Sequence, residues 1–129
     1  TAAKAYDPRL WEEHIRTAYG PAAQGVIDME AKAKKNETAG RLKRIDAIEQ
    51  HWPEITALLA SLPASRTVME LLRSLDAPCL PAEIGVGEEM LRNTFYYCKE
   101  VRARYTILQM IWDLGLLEPL AEEVIGELR

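Results

Sequence analysis

From Leu91 the apolar side chains return at Phe95, Cys98, Val101, Tyr105, Leu108 and Trp112, in steps of three or four residues. That rhythm matches the turn of an α-helix and gathers one apolar face. Such a face must be buried against other helices or against a sheet, and little in this chain can make a sheet. β-branched and aromatic residues are sparse, with a single Phe, while Ala, Leu, Glu and Arg abound. The expected fold class is therefore all-α, an antiparallel array of about six or seven helices. A length of 129 residues suffices for one domain around one core.

The punctuation of the chain supports this. Asp7-Pro8 reads as an N-cap followed by proline at the first helical position, with the helix stopping at Gly20-Pro21. A second helix is predicted from Pro21 towards Lys35, with Val26 and Met29 inward, and Asn36 to Gly40 as a polar, mobile connector. Leu42, Ile45, Ile48 and Trp52 continue at helical spacing, and Pro53 kinks that helix or opens a new one. Thr67 with Glu70 has capping-box spacing for a helix over Val68–Leu75. The prolines at 78 and 81 require an extended segment, with room for one short turn at Pro81-Ala82-Glu83. Thr106 with Gln109 forms a second capping box that interrupts the long apolar face near Tyr105. Gly115 ends a helix, and Glu118-Pro119 restarts one that runs to Leu128.

Charge and cysteine usage narrow the functional classes. The net charge is −4, which disfavours nucleic acid and anionic lipid. A helix-turn-helix DNA binder is the weakest reading for that reason. The one basic cluster, Lys32, Lys34, Lys35, Arg41, Lys43 and Arg44, is opposed by Glu37 alone and reads as a solvated loop between helix ends. Cys79 and Cys98 form no CxxC motif, so the expected environment is reducing and cytoplasmic, with no membrane partner. The opening Thr1, in place of Met, reads as an excised piece or a processed product.

Most catalytic chemistries lack their residues. His14 and His51 belong to no HExxH or ExxH pattern, and no GxSxG is present. Gly85-Val86-Gly87 follows no predicted strand and lacks a lysine, so it is no phosphate loop. The chain is therefore expected to hold no catalytic residue, no metal site and no cofactor site of its own. One constellation stands out. Lys99 and Arg102 lie three apart on a predicted helical face, just before a new N-terminus at Thr106, and two cations near free N–H groups suit a phosphate. The competing reading pairs Lys99 and Arg102 with carboxylates or a helix end.

The words of the sequence also resemble a known family. Leu71-Leu72-Arg73-Ser74-Leu75-Asp76-Ala77-Pro78, Pro81-Ala82-Glu83-Ile84-Gly85, the run from Lys99 to Leu108 beginning Lys-Glu-Val-Arg-Ala-Arg-Tyr-Thr, and Trp112-Asp113-Leu114-Gly115 occur in that order. Together they resemble the C-terminal end of sn-glycerol-1-phosphate dehydrogenases, a branch of the metal-dependent polyol dehydrogenase and 3-dehydroquinate synthase superfamily. Trp11 to Ile27 resembles the stretch just after that family's second metal-binding histidine.

The resemblance implies a dehydroquinate-synthase-like two-domain enzyme, with residues 1–129 forming most of its C-terminal helical domain. It implies an upstream partner domain that binds NAD(P), and a divalent metal (zinc, nickel or iron) held by one Asp and two His, none of them in this chain. The implied reaction interconverts dihydroxyacetone phosphate and sn-glycerol 1-phosphate, a step of phospholipid biosynthesis, and Lys99, Arg102 and Thr106 would hold the substrate phosphate. A homo-oligomer is a candidate assembly, and apolar groups at Leu10, Ile15 and around Trp112 are expected to face the missing upstream domain, lie exposed and drive self-association. The alternative is a stand-alone helical protein-interaction module without enzymatic activity.

Overall fold

The computed structural model describes residues 6–128, and among these every regular element is helical. Helix α1 spans Pro8–Tyr19. Its start is fixed as the sequence predicts: the Asp7 carboxylate accepts the backbone N–H groups of Arg9 and Leu10 at 2.9 and 3.3 Å. It ends at Gly20, whose φ of 50° turns the chain into a single 3-10 turn at Gly20–Ala22. Helix α2, Ala23–Ala33, then packs back on α1. Ile15, Ala23 and Val26 close a small core lined by Trp11, Tyr19, Ile27 and Tyr97. Ile15 is 0 % exposed, so the expectation that it faces a missing neighbour is corrected.

Helix α3 (Thr38–Gln50) and α4 (Trp52–Ala60) meet at His51, where Pro53 in the first turn opens a new helix, the second of the two outcomes its position permits. Helix α5 runs Ser65–Ser74. It begins at Ser65, before the predicted box at Thr67, with Ala64 at its N-cap and no side-chain capping bond. The extended segment through the two prolines leads into a 3-10 turn, Pro81–Ile84, as expected. There the Glu83 carboxylate accepts the N–H groups of Cys79 and Leu80 at 2.6 and 2.7 Å.

Helix α6 (Glu88–Tyr97) gives way to a 3-10 turn at Cys98–Glu100 and then to bends through residues 101–104. The apolar face counted from Leu91 to Trp112 is thus two helices with an irregular bridge, wider than the break foreseen at Tyr105. Helix α7, Ile107–Asp113, starts at Thr106, whose hydroxyl accepts the Gln109 N–H. Helix α8, Leu117–Glu127, follows Gly115 at a φ of 74° and lays Ala121 and Ile125 into the interface with α6. Arg92 of α6 forks onto Glu122 of α8 at 2.7 and 2.9 Å.

The all-α class holds, as eight α-helical segments among the described residues, because the breaks at His51 and after Tyr97 cut runs that the apolar period alone would join. These segments do not form one uniform array. Helices α1, α2, α3, α6, α7 and α8 make a packed body. Helix α4 touches that body through α3, and α5 packs on no other helix to a comparable extent.

Candidate functional site

The densest chemistry lies where α2, α3, the bridge after α6 and α7 converge. Lys34 ends α2 in the left-handed region, φ 51°, and this reversal turns Lys35 and Asn36 inward. Asn36 is 0 % exposed; its backbone N–H donates to Glu30 at 2.7 Å and its side-chain amide to both Glu100 oxygens at 3.1 Å. Of the connector predicted to be polar and mobile, Asn36 is therefore interior and Thr38 onward is helical, while Glu37 to Ala39 stay exposed. The Lys35 ammonium pairs with Glu100 at 3.2 Å and donates to the Lys99 carbonyl at 2.5 Å, and to that of Arg102 at 3.3 Å. Lys99 forms a second ion pair with Glu100, and its ammonium sits 4.5 Å from the centre of the Trp112 ring. Trp11 donates its indole N–H to the same carboxylate at 3.2 Å.

Asp113 anchors the other end. Arg44 grips it in a fork at 2.7 and 2.8 Å, and the Tyr105 hydroxyl donates to it at 3.0 Å. Arg41 donates to the carbonyls of Trp112 and Asp113 and lies 4.3 Å over the Trp112 ring, acting as a cationic cap on the end of α7. Gln109 bridges the halves by donating to Asn36 at 3.3 Å and Asp113 at 3.5 Å. The basic cluster read as a solvated loop is thus corrected at Lys35, Arg41 and Arg44. Its positive charges face Glu100 and Asp113, far away in sequence.

Electrostatics follow from this enclosure. Burial pushes the Glu30 carboxyl up, against the N–H of Asn36 and the charges of Lys35 and Lys99. Burial would do the same to Glu100, but Lys99, Lys35 and the Asn36 amide outweigh it and hold that carboxyl below its ordinary value. The Lys99 ammonium is pulled down by burial despite Glu100. Tyr105 is raised to about 12 by burial and its bond to Asp113. Such a network is nearly saturated: Gln109 Oε1 is the one buried side-chain polar atom without a partner among the described residues. Groups satisfied in this way rigidify the interior that they join.

The three candidate phosphate ligands part company here. Lys99 is 4 % exposed and engaged by Glu100. Arg102 lies in the bends after the 3-10 turn with an exposed side chain, so the two do not share a helical face. Thr106 caps α7 with its hydroxyl, as its capping-box spacing predicts. The buried polar network of Glu100, Asn36, Gln109 and Asp113 escaped the sequence reading, although an unbalanced basic cluster was a signal that buried carboxylates must exist elsewhere.

Among the described residues no three His, Cys, Asp or Glu side chains converge on a point that could hold a metal. His14 lies tilted against the Tyr97 ring, and His51 sits exposed at the junction of α3 and α4. The turn at Gly85–Gly87 leads into α6, whose first residues Glu88 and Glu89 put carboxylates where a phosphate would have to approach. A groove of about 400 Å³ between α1 and α6, bordered by Tyr19, Met90, Tyr97 and Cys98, brings together no charged pair suited to catalysis.

Comparison with known proteins gives one partial likeness. Over 73 residues, 56 % of its length, the chain is 33 % identical to the glycerol-1-phosphate dehydrogenase (NAD(P)+) of Bacillus licheniformis. That stretch covers 18 % of the bacterial protein. No family model matches the chain, and no solved structure matches it. The likeness supports a related family at most, and agrees with the resemblance read from the sequence.

Proposed function

We propose that this chain is the C-terminal helical portion of an NAD(P)-dependent glycerol-1-phosphate dehydrogenase, a cytoplasmic enzyme acting on dihydroxyacetone phosphate and sn-glycerol 1-phosphate. The observation that carries it is the partial identity to the bacterial dehydrogenase over more than half of the chain. In this reading the nucleotide loop and the metal ligands belong to an upstream domain; the described residues gather no set of metal ligands. The polar network supplies rigidity: it fixes the bridge between α6 and α7 against α2 and α3. Arg102, exposed on that bridge, is the group best placed to meet a substrate phosphate. Lys99 holds the bridge in shape through Glu100, and Thr106 fixes the start of α7.

The experiment compares the chain alone with the chain joined to its upstream reading frame. Alone, it should neither oxidise NAD(P)H with dihydroxyacetone phosphate nor retain stoichiometric metal after dialysis. The joined protein should do both. Turnover by the isolated chain, or an upstream frame without a glycine-rich nucleotide motif and metal-binding histidines, would overturn the proposal. The second reading, a stand-alone interaction module, draws on the open apolar surface of α4 and α5.

A further inference from the structure

We propose that Lys35 is a positioning residue for Arg102, holding the main chain that carries this guanidinium at the place where it meets a substrate phosphate. The proposal rests on the reading above, in which Arg102 makes that contact. Residues 101–106 are exposed and belong to no helix. An untethered stretch of this kind would let Arg102 wander, and ordering it on demand would cost conformational entropy. Among the described residues, one hydrogen bond reaches the main chain of residues 102–104: the Lys35 ammonium donates to the Arg102 carbonyl at 3.3 Å. Lys99, engaged with Glu100 and the Trp112 ring, makes no bond to that stretch. The tether therefore comes from α2, 67 positions away in sequence.

The chemistry of the tether is complete. An ammonium carries three N–H donors, and that of Lys35 has three acceptors: the Lys99 carbonyl at 2.5 Å, the Arg102 carbonyl at 3.3 Å and the Glu100 carboxylate at 3.2 Å. Lys35 is 8 % exposed, so water competes little for these bonds. Its own backbone is fixed in turn. The left-handed Lys34 sets the direction in which Lys35 leaves α2, and the Lys35 carbonyl accepts the Arg44 guanidinium at 2.8 Å. Arg44 also grips Asp113 of α7. One residue thus holds the near end of the bridge with its side chain and is joined through Arg44 to the helix at the far end. A guanidinium on a fixed backbone loses less freedom on meeting an anion than one on a loose strand of chain. Such pre-organisation acts on the binding of the phosphate and leaves the reacting carbonyl alone, so it belongs to the Michaelis constant.

The test uses the joined protein with Lys35→Met, Arg102→Ala and the double variant. Lys35→Met should raise the Michaelis constant for dihydroxyacetone phosphate roughly three- to tenfold, with kcat within about twofold and unphosphorylated dihydroxyacetone nearly unaffected. In the Arg102→Ala background it should add nothing, because no guanidinium is left to place. Limited digestion with trypsin gives a readout apart from activity. Cleavage after Arg102 and Arg104 should accelerate roughly tenfold in Lys35→Met, while cleavage after Arg16, exposed on α1, keeps its wild-type rate. Lys35→Gln, which keeps a neutral donor, is the second variant and should show the same pattern at smaller size. If Arg102→Ala leaves the Michaelis constant unchanged, the phosphate contact fails and the role of Lys35 falls with it. If Arg102→Ala acts as expected, the phosphate contact stands and Lys35 is judged alone. Equal loss for both substrates, a full added loss in the double variant, or cleavage rising at every site alike in both Lys35 variants would then overturn the positioning role.

Discussion

Glu100 is the residue on which most of the interior polar contacts depend, since Lys35, Lys99, Asn36 and Trp11 all reach its carboxylate. Removing one member of a buried ion pair leaves the other charge stranded, at a cost of about 3–5 kcal/mol. Glu100→Gln should lose that much stability at neutral pH, measured by urea denaturation. Because Glu100 is held below its unfolded value, its contribution is present above the ordinary carboxylate range and disappears as pH falls through the folded value. The gap between wild type and Glu100→Gln should therefore narrow in acid. Glu30 acts with opposite sign: its raised carboxyl makes ionisation a burden that grows as pH climbs out of the carboxylate range. Arg102 differs in kind. It is exposed, so Arg102→Ala should leave stability within about 0.5 kcal/mol. In the joined dehydrogenase it should raise the Michaelis constant for dihydroxyacetone phosphate roughly ten- to a hundredfold, with unphosphorylated dihydroxyacetone nearly unaffected. Equal loss for both substrates would refute the phosphate contact.

Among the elements, the caps rank themselves by geometry. Asp7 accepts two backbone N–H groups at the start of α1, while Thr106 accepts one at 3.4 Å in a helix already tied down by Gln109 and Asp113. Asp7→Ala should cost about 1 kcal/mol, and Thr106→Ala less than about half of that, by the same denaturation assay. These starts were legible because a cap, a proline and a periodic run are written in neighbouring residues. So were the ends of α1 and α7, where Gly20 and Gly115 supply positive φ. The polar interior was not legible, because its bonds join residues far apart: 64 positions from Asn36 to Glu100, 69 from Arg44 to Asp113 and 72 from Arg41 to Asp113. No local pattern says that Lys99 will turn inward while Arg102 turns outward. The left-handed Lys34 decides where Lys35 and Asn36 go, and a lysine gives no advance sign of that conformation. The start of α5 was missed for the reverse reason: a capping pair at Thr67 and Glu70 was present in sequence, but the helix already begins at Ser65, directly after the extended Ala64.

At the scale of the molecule, two kinds of stability coexist in one chain. The body is held by α1 on α2, α6 on α8, and the ion pairs that tie the bridge after α6 to α2 and α3. The arm of α4 and α5 has none of these, and helices of 9 and 10 residues are too short to persist in water without packing. Local opening should therefore be far easier in the arm than in the body. In native-state hydrogen exchange, amides of α2 and α7 should open only with global unfolding, while those of α4 and α5 exchange early in dilute solution. Glu100→Gln should speed exchange across the body and leave the arm unchanged. Uniform protection along the whole chain would mean that the arm draws its stability from the body, against the separation that its packing displays.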